Sequence, residues 1–332
     1  MKYSGLLKYL NSNIDRPLLI WGGPGTGKTT GVNRAGNEIN RPVSTLLASI
    51  LESSDFSGYP DKKEDRMVFL PMEKFKSLTD KHILFLDELT TTHPSLQAPL
   101  LSLILEKKAG DYKLPPGVKI IAAANPPDQA AGGWELSPPM ANRFIHVKWE
   151  VDIKEWCPGK YAPVRAFLIK RSSLFAPDLP KEWSLKNYAY PTPRSWESVG
   201  EIVSTVGFDS ELITGSVGEG ASIEFIRYIE ELDLLDPKEV LTNPELLKKC
   251  KKEDSGFASL IAALDEAYTL EDKEAPYKFS LNVATFRKDW GRYIVADAFN
   301  KNLIPSSGLI QLLDDTFSGW KNSIKNELGI TN

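Results

Sequence analysis

The chain has only two cysteines, Cys157 and Cys250, far apart and in no Cys-x-x-Cys pair, so it encodes neither a disulfide framework nor a thiolate zinc site. Both read as buried thiols that pack as small apolar side chains. Three histidines are too few for a zinc-like cluster. No apolar run approaches the roughly 20 residues that a membrane-spanning helix needs. The opening stretch places Leu6, Leu7 and Leu10 at helical spacing, not in a signal peptide's continuous apolar core. These absences fit a reducing cytoplasm and no membrane partner. Positive charge is not in excess either. With 40 Lys and Arg against 44 Asp and Glu, the net charge is −4, and any contact with nucleic acid would need a local basic patch. Internal repeats and low-complexity linkers are also missing.

The sequence does have 332 residues and an ordinary 42% hydrophobic share, enough for two packed domains. Its first half alternates short apolar runs with longer amphipathic stretches, the pattern of helices flanking a mainly parallel sheet. Strands are expected at 17–21, 43–48, 82–87, 118–124 and 144–149, and helices at 28–40, 72–80, 95–108 and 138–142. Met67-Val68-Phe69-Leu70 lies between a charged segment and Pro71 and reads as an inserted hairpin arm. Beyond about residue 150 the apolar period becomes helical, as in Phe225, Ile229 and Leu232, then Phe257, Leu260, Ile261 and Leu264, then Phe286, Trp290, Tyr293 and Ile294. Prolines and glycines cut this half into short helices. The expected division is an α/β nucleotide-binding domain over 1–150 and an α-helical region over 151–332.

Between the first strand and the first long helix runs Gly22-Gly23-Pro24-Gly25-Thr26-Gly27-Lys28-Thr29, followed by Thr30, which fits G-x-x-x-x-G-K-[ST]. Glycines let backbone N–H groups turn inward around phosphate oxygens, and the following helix N-terminus adds partial positive charge. Lys28 would reach the β- and γ-phosphates of ATP, and the Thr29 hydroxyl would bind Mg²⁺. Hydrolysis needs acids as well. Ile83-Leu84-Phe85-Leu86-Asp87-Glu88 supplies two at the end of an apolar strand, where open α/β sheets bind ligands. Asp87 would hold Mg²⁺ through its waters, and Glu88 would polarise the attacking water; a surface turn with two solvated acids is the plainer alternative. Asn125 ends another apolar strand, Ile120 to Ala124, and could orient that water. Before Pro126 it is equally a turn former. Arg143 follows a Ser137 cap and prolines in a first helical turn, and Arg194 follows a Thr192 cap and Pro193. A guanidinium held at such a rigid start suits phosphate sensing, although most arginines form surface salt bridges.

Together these residues resemble the AAA+ ATPases, most closely the MoxR-like, dynein-related branch, over roughly residues 15 to 200. The resemblance implies that the loop ending Gly27-Lys28-Thr29 is Walker A, Asp87-Glu88 is Walker B, and Asn125 is sensor 1. It also implies that Arg143 is an arginine finger acting in a neighbouring subunit, and Arg194 a sensor 2 arginine in an α-helical lid. Asp55 to Pro60 looks like the segment after the second strand, Met67 to Leu70 like the insert in helix 2, and Gln97 to Pro116 like the helix and hairpin before sensor 1. The departures are a short loop at 108–117, Pro99 interrupting a helix, and Asn142-Arg143-Phe144 in place of Asp-Arg-Phe.

The resemblance further implies a homo-oligomeric ring, a hexamer, that remodels or activates a protein client as a chaperone does, with a von Willebrand A-domain protein as a candidate partner. Phe56 and Tyr59 could line a central channel or pack beneath the arm. Gly132-Gly133-Trp134 reads as a Gly-rich turn anchored by its tryptophan. Three alternatives stand beside this reading. A DNA-acting motor or loader would need a basic channel. A small-molecule kinase or GTPase would have less use for the Asp-Glu pair and two distal arginines, and no Asn-Lys-x-Asp element occurs. A binding module that holds ATP without hydrolysing it would not need Lys28, Glu88 and Arg143 intact.

Overall fold

A computed structural model describes residues 1–126, 129, 133–153, 156, 161–177 and 188–300, with side chains to Ala298. Cys157 and Gly132 lie outside the described residues. The chain divides into two compact units, the first formed by Met1–Val151 and the second beginning at Asp152.

The first unit is built on five short parallel strands, β1 (Leu18–Trp21), β2 (Val43–Leu47), β5 (Ile83–Asp87), β8 (Lys119–Ala124) and β9 (Ile145–Lys148), in the order β2-β5-β8-β1-β9. Each strand's apolar residues alternate between two cores, because successive side chains leave opposite faces of the sheet. Leu19, Leu84, Leu86, Ile120 and Ala122 pack on one side with Phe56, Phe75, Leu100 and Leu103. Leu18, Ile20, Ile83, Phe85 and Ile121 pack on the other with Leu6, Leu10, Val32 and Trp149. A sheet covered on both faces explains why β5 and β8 read as unbroken apolar runs. Helix Lys28–Glu38 continues from the loop after β1, and helix Tyr3–Leu10 seats Leu6 and Leu10 against the second core.

Between β2 and β5 the chain makes an antiparallel hairpin, β3 (Tyr59–Lys63) with β4 (Arg66–Leu70), which is the arm read from the sequence. A smaller hairpin, β6 (Lys108–Ala109) with β7 (Tyr112–Lys113), follows helix Gln97–Glu106. It is fastened to the arm. Phe69 N–H donates to Asp111 Oδ2 at 2.7 Å, and Asp111 N–H donates to Phe69 O at 3.1 Å. Pro99 does not interrupt its helix, because it is the third residue of Gln97–Glu106, where a backbone N–H has no intrahelical acceptor to lose. The helix expected at 72–80 closes early as Glu73–Lys76. His82 N–H bonds Thr79 O at 2.9 Å and His82 Nδ1 accepts from Thr79 N–H at 3.0 Å, so the chain turns into β5 instead.

The second unit is helical. Helices Ala162–Lys170, Pro193–Thr205 and Glu219–Glu230 bring Phe167, Trp196 and Phe225 into one aromatic cluster, with centroids 5.2 to 5.6 Å apart. Helix Glu253–Thr269 buries Phe257, Leu260, Ile261 and Leu264 in a further core with Trp290 and Ile294 of helix Lys288–Asn300. Arg165 is fully buried and ion-paired with Asp265, and Asp297 stands 3.7 Å from it while accepting from Tyr268 at 2.6 Å. Burial opposes the Arg165 charge, but Asp265, Tyr293 and Asp297 hold its pKa above the ordinary value. Cys250 is only half-buried, because it ends the 3-10 turn Pro244–Lys249 and does not face a core, contrary to its sequence reading. Among the described residues, no helix is long and apolar enough to cross a membrane.

Candidate active site

All five strands of the main sheet run the same way, so the segments that follow them emerge at one edge of the sheet. The loop Gly22–Gly27 follows β1, Asp87 ends β5 and Asn125 follows β8. Lys28, 9% exposed, folds back over the loop: its Nζ donates to Gly22 O at 2.6 Å, Gly23 O at 2.9 Å and Asn125 Oδ1 at 2.8 Å. Thr29, the next residue, donates its hydroxyl to Asp87 Oδ2 at 2.6 Å. Three segments distant in sequence thus put an ammonium, a hydroxyl, a carboxylate and an amide within hydrogen-bond reach of one another.

The loop also has the shape that phosphates need. Gly27 is left-handed, at φ 81°, where a side chain would strain the turn into the helix. Thr26 Oγ1 closes the loop on Gly23 O at 2.7 Å. Pro24, Gly25 and Thr26 are half-buried, and Thr30 is exposed on the first helical turn. Thr29 would supply one oxygen to Mg²⁺ and Asp87 would hold the ion's waters, as suits an ion that takes one or two protein oxygens beside phosphate and water. Among the described residues there is no cluster of three or more His, Cys, Asp or Glu to hold a metal without such help. The residues present therefore fit Mg²⁺ and a nucleoside triphosphate together.

Glu88 is exposed and has a left-handed backbone, φ 55° and ψ 41°, an uncommon conformation for a residue with a side chain. Strain of this kind is of order 1–3 kcal/mol and gathers at functional sites. The turn breaks the strand after Asp87 and starts a 3-10 turn, Leu89–Thr91, which points the Glu88 side chain off the line of β5. Glu88 Oε2 accepts from Ser49 Oγ at 3.4 Å. Thr90 is buried beside it, donating to Asn125 O at 3.3 Å and accepting from Trp134 N–H at 2.6 Å. The Trp134 ring meets His93 edge-on, so the described part of the Gly-rich turn is anchored.

Arg143 is not at this edge. It is exposed and precedes β9, whose Ile145 pairs with Leu18 at the start of β1. There it lines a cavity of about 510 Å³ with Arg16, Lys107 and Lys113 at the opposite edge of the sheet. Arg194 belongs to the second unit and is exposed at the second position of helix Pro193–Thr205. Thr192 caps that helix, accepting from Ser195 N–H at 3.1 Å while Ser195 Oγ accepts from Thr192 N–H at 2.7 Å. Phe56 is 1% exposed in the core and so faces no channel, and the Tyr59 hydroxyl is bonded to Asp55 at 2.9 Å.

Two contacts have no signal in the sequence. Ser49, just after β2, reaches Glu88, and Trp149, just after β9, donates its indole N–H to Thr26 O at 3.1 Å. Both depend on which strands lie side by side, which no local motif encodes.

Residues 17–144 match the family described as AAA domain (dynein-related subfamily), a stretch that holds the loop, Asp87, Glu88, Asn125 and Arg143. No curated protein matches the chain. Similar solved structures include the Thermotoga maritima RuvB Holliday junction branch migration motor, 18% identical over 74% of this chain and 76% of that one, with a TM-score of 0.38. A protein of Cytophaga hutchinsonii is 17% identical over 99% and 88% of the two chains, with a TM-score of 0.34. Sheet and loop define the class, a P-loop nucleoside triphosphatase. Within that class, residues 17–144 are similar to the AAA domain of the dynein-related subfamily.

Proposed function

We propose that this protein is a ring-forming, Mg²⁺-dependent ATPase of the MoxR-like kind that remodels or activates a protein partner. The observation that carries the reading is the meeting of Lys28, Thr29, Asp87 and Asn125 at one edge of the sheet, with Arg143 at the other. Lys28 holds the β- and γ-phosphates of ATP, and the backbone N–H groups of Gly25 to Thr29 bind their oxygens. Thr29 and Asp87 hold Mg²⁺, which would neutralise charge on the phosphate oxygens. Glu88 accepts a proton from the attacking water, and Asn125 orients that water from the neighbouring strand. Ser49, bonded to the Glu88 carboxylate, governs where that base points.

Support for the ring comes from distance. Arg16, lateral neighbour of Arg143, is six extended residues from Gly22, about 20 Å at the usual rise per residue. No side chain spans that, so Arg143 serves the site of a second copy. A finger of this kind raises turnover about 10³–10⁵-fold. Arg194 reads the same nucleotide from the helical unit, which acts as the lid, and a hexamer and a von Willebrand A-domain client complete the reading. Glu88→Gln with ATP is expected to sediment as a closed oligomer, whereas Lys28→Ala with ATP remains smaller. If both sediment as monomers with ATP at micromolar concentration, the ring is refuted. Strong stimulation of hydrolysis by duplex DNA would favour the alternative of a DNA-acting motor.

A further inference from the structure

Trp149 stands one residue beyond β9, where the strand pairing brings it beside Gly22, and its backbone N–H donates to Trp21 O at 2.6 Å. It is 9% exposed and packs in the core beneath the loop. Its indole covers the first turn of helix Lys28–Glu38 so closely that a Cβ on Gly31 would fall 2.7 Å from the ring. A glycine is therefore required where the ring and the helix backbone meet. The single polar atom of the indole donates to Thr26 O at 3.1 Å.

That carbonyl belongs to the peptide joining Thr26 to Gly27. In a planar trans peptide the C=O of one residue and the N–H of the next point in opposite directions. Holding Thr26 O down onto Trp149 thus turns Gly27 N–H away from Trp149 and the core in which it packs. Gly27, left-handed at φ 81°, is the residue free to rotate if that hold is lost. Thr26 is fixed on its other side by its hydroxyl's bond to Gly23 O. The side chain of Thr26 is thus held by Gly23 and its carbonyl by Trp149.

We propose that Trp149 is a positioning residue of the phosphate loop, its indole N–H fixing the Thr26 carbonyl so that Gly27 N–H faces the bound phosphates. The inference rests on Gly22–Thr29 being the phosphate-binding loop. Trp149→Phe keeps an aromatic ring beneath the loop but removes the donor together with the ring atoms that meet Gly31. It is expected to raise the Kd and KM for ATP about 3–10-fold, the worth of one net hydrogen bond, with kcat changed less than about twofold and the melting temperature lowered by the lost packing. Wild-type affinity in this variant overturns the proposal. Trp149→Ala opens space beside Gly31, and adding Gly31→Ala refills part of it. The double variant is expected to recover thermal stability without recovering affinity; if affinity returns together with stability, the indole acts by packing alone and the proposal fails. Lys28→Ala, titrated with ATP alongside, separates the two levels: if ATP binding survives it, the reading of the loop falls, and Trp149 with it.

Discussion

At the residue scale, Lys28 and Glu88 do opposite things with their charges. Lys28 is buried and surrounded by three oxygen acceptors, so its ammonium is held where phosphates would replace those contacts. Glu88 is exposed on a left-handed turn, its carboxylate restrained by one long bond from Ser49. Lys28→Ala is expected to abolish ATP binding in a calorimetric titration. Glu88→Gln is expected to bind ATP as the unaltered chain does while turnover falls about 10²–10⁴-fold, the usual worth of a general base. Equal hydrolysis by the two chains removes the base assignment. Both side chains were legible in the sequence, because a G-x-x-x-x-G-K-[ST] string and an apolar run ending in two acids are local patterns. Their partners were not, since Lys28 meets a residue 97 positions away and Thr26 one 123 away.

Elements were legible where burial sets their period. The five apolar runs became five strands, each shorter than expected by one or two residues, as fraying at strand ends allows. Apolar pattern alone does not reveal competing side-chain hydrogen bonds, and the Thr79–His82 turn cut the helix expected at 72–80 to a single turn. The helix expected to run to 108 ends two residues early because Lys107 turns left-handed, at φ 51°, and frees Lys108 and Ala109 to pair with the strand opposite. Pairing between the two hairpins was equally unreadable. It runs through Asp111, so Asp111→Ala is expected to speed hydrogen exchange at the Phe69 amide about tenfold, the loss of one hydrogen bond to a charged acceptor, while leaving the five-stranded sheet protected. In the helical unit, Arg165 ties together three helices and is fully buried. Arg165→Met strands Asp265 and Asp297 and is expected to destabilise that unit by about 3–5 kcal/mol in denaturant unfolding, far more than an exposed pair such as Lys248–Glu245 would.

At the scale of the whole molecule, the change from alternating to helical period announced two parts, and the chain divides after Val151. A mainly parallel sheet was expected from the sequence, but the strand order that sets β9 beside β1 was not. A parallel sheet sends every strand end to one edge, so a residue before a strand and a loop after its neighbour lie at opposite edges. That geometry separates Arg143 from the loop beside which its strand runs, and the proposed sharing of each site between two copies rests on it. Mixing tests this most directly. Lys28→Ala and Arg143→Ala chains are each expected to hydrolyse ATP at background rate. In randomly assembled rings about a quarter of sites pair an intact Lys28 with an intact Arg143 from the next copy. An equal mixture is therefore expected to recover about a quarter of the unaltered chain's Mg²⁺-dependent phosphate release. A mixture that assembles, shown by sedimentation, yet stays as inactive as either parent would contradict the shared site.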